Sequence, residues 1–244
     1  MNFRILCFAV ACGLAACTSM RVGLYSFTYI PITTDKFDIA TWQYLTSASE
    51  PVHIYIEGDG HAFDRHGHPT QNPTPRSMLL RNLAAQDDGK NIVYVARPCQ
   101  FIKSENCDVS DWTNGRFSKD ILDSMYTAIK TVAKNRPVVL IGYSGGAMIS
   151  GLLIQQYPDL NVKKWVTIAG VLNHDDWTKY FNDMPLDKSL NMNKLPQVSQ
   201  IHYIADGDKV VPNELSRKWA KQSDIVVIKN AKHNSMRGLK LNLD

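Results

Sequence analysis

No run of like charge, no internal repeat and no low-complexity linker interrupts the 244 residues of this chain. Its 27 Lys and Arg and 23 Asp and Glu are dispersed, so the net charge of +4 is not gathered into a basic block. Nucleic-acid binding normally needs such a block; a mixed, solvated surface is expected instead, with no nucleic acid partner. The leading apolar stretch, residues 5–11, is too short for a helix that crosses a bilayer. Cysteine is scarce: of five, Cys7, Cys12 and Cys17 fall in the first seventeen residues. With 44% apolar residues and no linker, the remainder suits one medium-sized domain around a single core.

The beginning of the chain is set apart. Asn2 to Arg4 are weakly basic, residues 5–11 are apolar, and Leu14-Ala15-Ala16-Cys17 ends the segment on small residues, as in a secretory signal. Leu-Ala-Ala-Cys resembles the bacterial lipoprotein cleavage box. The resemblance implies that residues 1–16 are removed, that the Cys17 thiol carries a diacylglycerol, and that residues 17–23 form a lipidated tether to a membrane. Each buried CH₂ contributes about 0.8 kcal/mol, so several acyl chains together hold a protein to the bilayer. Thr18 stands where Asp commonly retains such proteins at the inner membrane, so the periplasmic face of the outer membrane is expected. An ordinary signal peptide with a coincidental cysteine is the other reading.

In that oxidising compartment the two remaining cysteines, Cys99 and Cys107, form an even pair and are expected to be bridged. The ring is small, worth about 2–3 kcal/mol on the chain-entropy model. A metal pair is the weaker reading, because no histidine lies between or beside them.

From residue 24 onward, strand-length apolar runs alternate with helical patterns, the mark of a mostly parallel sheet covered by helices. Eight strands are expected, at residues 24–30, 37–44, 52–57, 91–96, 138–143, 165–169, 200–205 and 225–229, the first two as an antiparallel pair. Helices are expected at 76–85, 118–134, 145–157 and 213–222, the second capped by Ser118. Residues 173–196 are polar and irregular. Trp177, Tyr180 and Phe181 make them either a small lid or pocket wall, or a surface helix whose aromatics pack down.

The strongest chemical signal is Gly142-Tyr143-Ser144-Gly145-Gly146, a Gly-x-Ser-x-Gly turn directly after an apolar strand and before a helix rich in small residues. So tight a turn forces the serine into a strained conformation, and its neighbours must be glycine. The serine then stands at a helix N-terminus, where N–H groups favour negative charge. A serine hydroxyl needs a base, and the base needs a carboxylate to orient it. Asp208 and His233 follow the last two expected strands, in the order Ser, Asp, His. Asp206 is the rival acid, with Asp175 and Asp176 more distant alternatives. His61, His66 and His68, with Asp59 and Asp64, share one Gly- and Pro-rich loop; a metal cluster is disfavoured because no rigid element fixes a coordination geometry.

On these residues the chain resembles the α/β-hydrolase family over nearly all of its length after the signal. The resemblance implies an α/β fold with helices on both faces of a mostly parallel eight-stranded sheet. It implies a serine hydrolase with a small-molecule acyl substrate and no metal or organic cofactor: Ser144 is the nucleophile, His233 the base and Asp208 the acid. Asp208 precedes Val211-Pro212, as that family's acid often precedes a Val-Pro pair. The resemblance also implies an oxyanion hole from the backbone N–H of Gly145 and of Asp59, with Gly60 the near alternative. Glu57 replaces the histidine usual in that loop, and the Asp59 side chain is expected to point away. Tyr55-Ile56-Glu57-Gly58-Asp59-Gly60-His61 and Ala96-Arg97-Pro98-Cys99-Gln100 together resemble a group of small bacterial members of the family. A carboxylic ester is the expected substrate; peptidase, amidase or thioesterase activity, or a non-catalytic envelope binding protein on the same fold, are the alternatives.

Growth with a clickable palmitate followed by cell fractionation tests the anchor. The expected outcome is labelled wild-type protein in the outer membrane and unlabelled Cys17→Ala; equal labelling of the two refutes the anchor.

Overall fold

The computed structural model describes residues 20–22 and 25–244; the expected signal segment, Cys17 and residues 18, 19, 23 and 24 lie outside them. In chain order the elements are β1 (Met20–Val22), β2 (Tyr25–Tyr29), β3 (Ile32–Thr33), β4 (Asp38–Ile39), β5 (Thr41–Leu45), β6 (Val52–Ile56), α1 (Leu79–Gln86), β7 (Asn91–Val95), α2 (Lys119–Ala133) and β8 (Val138–Tyr143). They continue with α3 (Gly145–Gln156), β9 (Val162–Ile168), α4 (His174–Phe181), β10 (Ser199–Ala205), α5 (Asn213–Trp219) and β11 (Ile225–Ile228). Short 3-10 turns occupy Val109–Trp112 and Gln222–Asp224.

The main sheet runs in the order β1-β2-β5-β7-β6-β8-β9-β10-β11. From β7 to β11 every neighbouring pair is parallel; β1, β2 and β5 are antiparallel. All eight expected strands are present, and the three-residue β1 makes a ninth in the main sheet. The expected strand at 37–44 differs in detail: β4 leaves the main sheet to pair with β3, and β5 carries the pairing with β2. The helix expected at 76–85 begins only at Leu79, and the one expected at 213–222 stops at Trp219.

Alternation along the strands sends side chains into two cores. Ile54, Ile56 and Leu140 face α2 and α3, meeting Ile121, Met125, Ile129, Met148 and Leu152. Tyr55, Val139 and Ile141 face the other way, toward Leu80 and Leu83 of α1 and the C-terminal Met236 and Leu239. Strands buried on both faces read as continuous apolar runs, as Val138–Ile141 do. Ser118 caps α2, its hydroxyl accepting from the Ile121 N–H at 3.4 Å. No helix among the described residues is long and apolar enough to cross a membrane.

Topology decides where a site can form. The chain steps from β6 outward to β7, then returns to place β8 on the other side of β6. The loops leaving β6 and β8 therefore diverge, opening a crevice at the carboxyl ends of adjacent strands, where ligands bind in open α/β sheets. In register, Ile56 lies opposite Gly142, and Tyr143 opposite Ile168.

The helix α3 can approach that edge only because its first residues are glycines. A Cβ on Gly146 would stand 2.3 Å from the Ile56 carbonyl oxygen and 2.7 Å from that of Glu57, both backbone atoms. Gly146→Ala is expected to lower stability by about 1–3 kcal/mol through overpacking. Thermal unfolding should register this as a midpoint several degrees lower; an unchanged midpoint contradicts the close approach.

Candidate active site

Ser144 sits between β8 and α3 with φ of 53° and ψ of −121°, a left-handed conformation that a non-glycine residue adopts under constraint. The constraint is visible in its backbone. Its N–H donates to the Ile168 carbonyl at 3.0 Å, and its carbonyl accepts from Ala147 and Val171. A Cβ on Gly142 would stand 2.4 Å from the Gly146 carbonyl oxygen, and one on Gly58 3.0 Å from the Ser144 Cβ. Glycine on both sides of the turn is thus a packing requirement.

The structure brings Ser144, His233 and Asp208 into one hydrogen-bonded line. His233 Nε2 lies 3.0 Å from Ser144 Oγ, and His233 Nδ1 lies 2.8 Å from Asp208 Oδ2. The other carboxylate oxygen of Asp208 accepts the N–H groups of Val210 and Val211 at 2.8 and 2.9 Å. Both its oxygens are therefore committed, and the carboxylate is almost completely buried. Tyr143 steadies the histidine from below: its hydroxyl donates to the His233 carbonyl at 3.1 Å and also bonds Asn234 Oδ1.

The rival acids have other partners. Asp206 accepts from the Asn230 and Ala231 N–H groups and so shapes the turn that presents His233 without touching its ring. Asp176 is held by Lys218 and the Trp219 indole, and Asp175 lies beside His174. His202 is buried between Thr167 and Gln200, its pKa pushed down to about 4 by desolvation. In the histidine loop, Asp64 spends one oxygen on the His66 and His68 N–H groups, which closes the turn.

The loop after β6 lies directly over the nucleophile. Gly60 has φ of 66°, and a Cβ there would collide with the Pro73 carbonyl at 2.1 Å. The N–H groups of Asp59 and Gly145 make no hydrogen bond among the described residues. The Asp59 side chain does not point away as expected. Its Oδ1 would stand 2.0 Å from a Cβ on Gly145, so the carboxylate packs against the residue after the serine. Two arginines make this tolerable: Arg97 Nη1 lies 3.1 Å and Arg116 Nη1 2.7 Å from its oxygens. Burial alone would raise the Asp59 pKa, but the two guanidiniums hold it below the ordinary carboxylate range. Arg116 carried no sequence signal, since it belongs to no periodic element. Arg97 lay inside a segment noted only for resemblance.

A cavity of about 380 Å³ opens onto Ser144 and His233. Phe63, Phe117, Val171, Trp177, Leu186 and Val211 give it an apolar wall, with Arg116 and His174 among its polar groups. Segment 173–196 contributes to this wall: α4 holds Trp177, whose indole N–H donates to the Val210 carbonyl at 2.7 Å, while Tyr180 and Phe181 remain substantially exposed. Cys99 and Cys107 are joined by a disulfide, with Cα atoms 5.8 Å apart.

Comparisons with solved structures place this architecture. Est1E from Butyrivibrio proteoclasticus superposes with a TM-score of 0.58 at 13% identity, covering 85% of this chain and 90% of that one. A lidless α/β serine hydrolase from Xanthomonas campestris gives 0.57 at 12%, covering 86% and 87%. A thioesterase domain from the curacin biosynthetic pathway gives 0.57 at 13%, covering 86% and 94%. No protein-family model matches the sequence, and neither does any curated protein. The chain thus has the α/β-hydrolase fold; at these identities the likeness speaks for the fold, and the chemistry has to be argued from the residues.

Glu57 is buried at the base of the loop, accepting from the Tyr94 hydroxyl at 2.7 Å and from the Gly58 N–H at 2.9 Å. Desolvation raises its pKa above the ordinary 4.5, against the opposing pull of these bonds and of Arg81 and Arg97. The folded protein therefore holds this proton more tightly than the unfolded chain. The resulting stability is present below pH 4.5 and is lost as pH rises through the folded pKa. Glu57→Gln removes this dependence. Thermal melts across a pH series should show the difference, variant minus wild type, growing as pH rises above 4.5; a constant difference refutes the shift.

Proposed function

We propose that this protein is a serine hydrolase that cleaves an acyl bond through an acyl-enzyme on Ser144. The observation that carries this is the Ser144–His233–Asp208 line, with contacts of 3.0 and 2.8 Å, its Ser144 and His233 lining a cavity of about 380 Å³. Ser144 Oγ attacks the substrate carbonyl while His233 Nε2 takes its proton. Asp208 holds the imidazole in the tautomer that presents Nε2 as acceptor and stabilises the imidazolium that follows. The oxyanion forms between the free N–H groups of Gly145 and Asp59. His233 then protonates the leaving group, and water, activated by the same histidine, releases the acyl group.

A carboxylic ester is the proposed substrate class. The small cavity and its apolar wall favour a short acyl chain over an extended polymer. Thioester and amide are the competing substrates, since fold alone does not choose among acyl donors. A thioesterase domain among the structural neighbours keeps the first of these open. A non-catalytic binding protein is less well supported, because it has no use for a strained serine aligned with a buried His–Asp pair. We place the activity in the cell envelope, on a Cys17 lipid anchor.

A panel of nitrophenyl esters, thioesters and anilides, with a fluorophosphonate probe, tests the reading. Ser144→Ala should abolish labelling, and it and His233→Ala should each lower kcat by roughly 10⁶-fold. Asp208→Ala should cost less, roughly 10⁴-fold, because a neutral histidine is still held partly in place. Asp206→Ala should act weakly. Wild-type turnover in Ser144→Ala refutes the mechanism, and a crippled Asp206→Ala beside an active Asp208→Ala refutes the acid.

A further inference from the structure

Three side chains outside the Ser144–His233–Asp208 line converge on residues 57–60. Arg97 and Arg116 share the Asp59 carboxylate, one on each oxygen, and both guanidiniums are nearly buried, with side chains 5% and 7% exposed. They are also tied to each other and to the chain behind. Arg97 Nη2 donates to the Arg116 carbonyl, and Arg116 Nε to the Thr113 carbonyl at 2.7 Å. Gln100 completes the grip: its Nε2 donates to the Gly58 carbonyl at 2.9 Å, and its Oε1 accepts the Arg97 N–H at 3.1 Å. The Gly58 N–H is taken by Glu57. The Gly58 peptide groups and the Asp59 carboxylate are thus committed, while the Asp59 N–H has no partner among the described residues.

The segment that supplies this grip is itself constrained. Cys99 and Phe101 have φ of 67° and 63°, left-handed conformations that persist only where the surroundings over-determine them. The Cys99–Cys107 disulfide and the Phe101 N–H bond to Thr74 Oγ1 at 2.8 Å are two such restraints, one on each side of Gln100.

We propose that Arg97, Arg116 and Gln100 are positioning residues for the oxyanion hole: they fix the Asp59 peptide over Ser144 and offset the carboxylate charge that packs against Gly145. This inference rests on the serine-hydrolase reading. Asp59 is the handle by which the arginines hold the loop, because a carboxylate takes two guanidiniums at once. Its charge would oppose a developing oxyanion only a few ångströms away, in a site where water screens little. Two cations beside one anion reverse that effect. Disrupting the positioning affects the transition state more than substrate binding, so the loss falls on kcat.

The test measures kcat, KM, melting temperature and the rate of fluorophosphonate labelling for wild type and four variants. Arg116→Gln and Gln100→Ala should each lower kcat and labelling at least about 10-fold, with KM within about 3-fold, on the scale of losing part of an oxyanion hole. Arg116→Lys, which keeps the charge and the fold, should recover part of the loss. The double variant Arg116→Gln/Asp59→Asn restores the net charge of the cluster and should also exceed Arg116→Gln in kcat. Wild-type kcat and labelling in Arg116→Gln and Gln100→Ala overturn the proposal while leaving the hydrolase reading intact. So does a loss that follows melting temperature and that neither Arg116→Lys nor the double variant relieves. A wild-type protein that fails to label at Ser144 removes the hydrolase reading, and this proposal with it.

Discussion

Everything at the site depends on the contact between the first turn of α3 and the ends of β6 and β8. Gly146 rests on the Ile56 and Glu57 carbonyls, and Gly142 on the Gly146 carbonyl, at distances no side chain would permit. That contact drives Ser144 into its left-handed conformation and lifts its side chain clear of the sheet. The strain is held by two well-packed cores, one on each face, which commit Ile54, Ile56 and Leu140 in one direction and Tyr55, Val139 and Ile141 in the other. Local distortion of this kind survives where the surrounding structure cannot relax without losing packing.

Around that turn three carboxylates follow one rule: each takes partners that also fix a direction. Asp208 spends one oxygen on two backbone N–H groups and the other on His233, which leaves the imidazole a single orientation. Asp59 spends both oxygens on arginines, and its N–H has no partner among the described residues. Asp206 uses its oxygens to build the turn that carries His233. Three neighbouring acids thus have three different duties, decided by what surrounds each carboxylate.

Much of the fold was legible in the chain. Val138–Ile141 is continuously apolar because its strand is buried on both faces, and Gly142 to Gly146 announce the turn because no other residue fits there. The antiparallel start was legible too, because no helical pattern separates the segments that became β2 and β5. Less was readable where function depends on distant partners. Arg116 lies in an irregular stretch with no period, and its role exists only through Asp59, 57 residues earlier. The expectation that the Asp59 side chain points away failed for the same reason: an isolated carboxylate would avoid an oxyanion, and only the convergence of two guanidiniums lets it stay.

The sequence by itself determined the alternation of strand and helix, the strained serine turn, and the order of Ser144, Asp208 and His233, because these are written in local spacing and residue type. The tertiary structure alone decided which acid meets the histidine, how α4 and Trp177 wall the cavity, and how Arg97, Gln100 and Arg116 gather on one loop. The physical reason is range. Propensity and turn geometry act over a few residues, whereas a hydrogen bond between Arg116 and Asp59 exists only once β7 has paired beside β6 and brought the loops that follow them together.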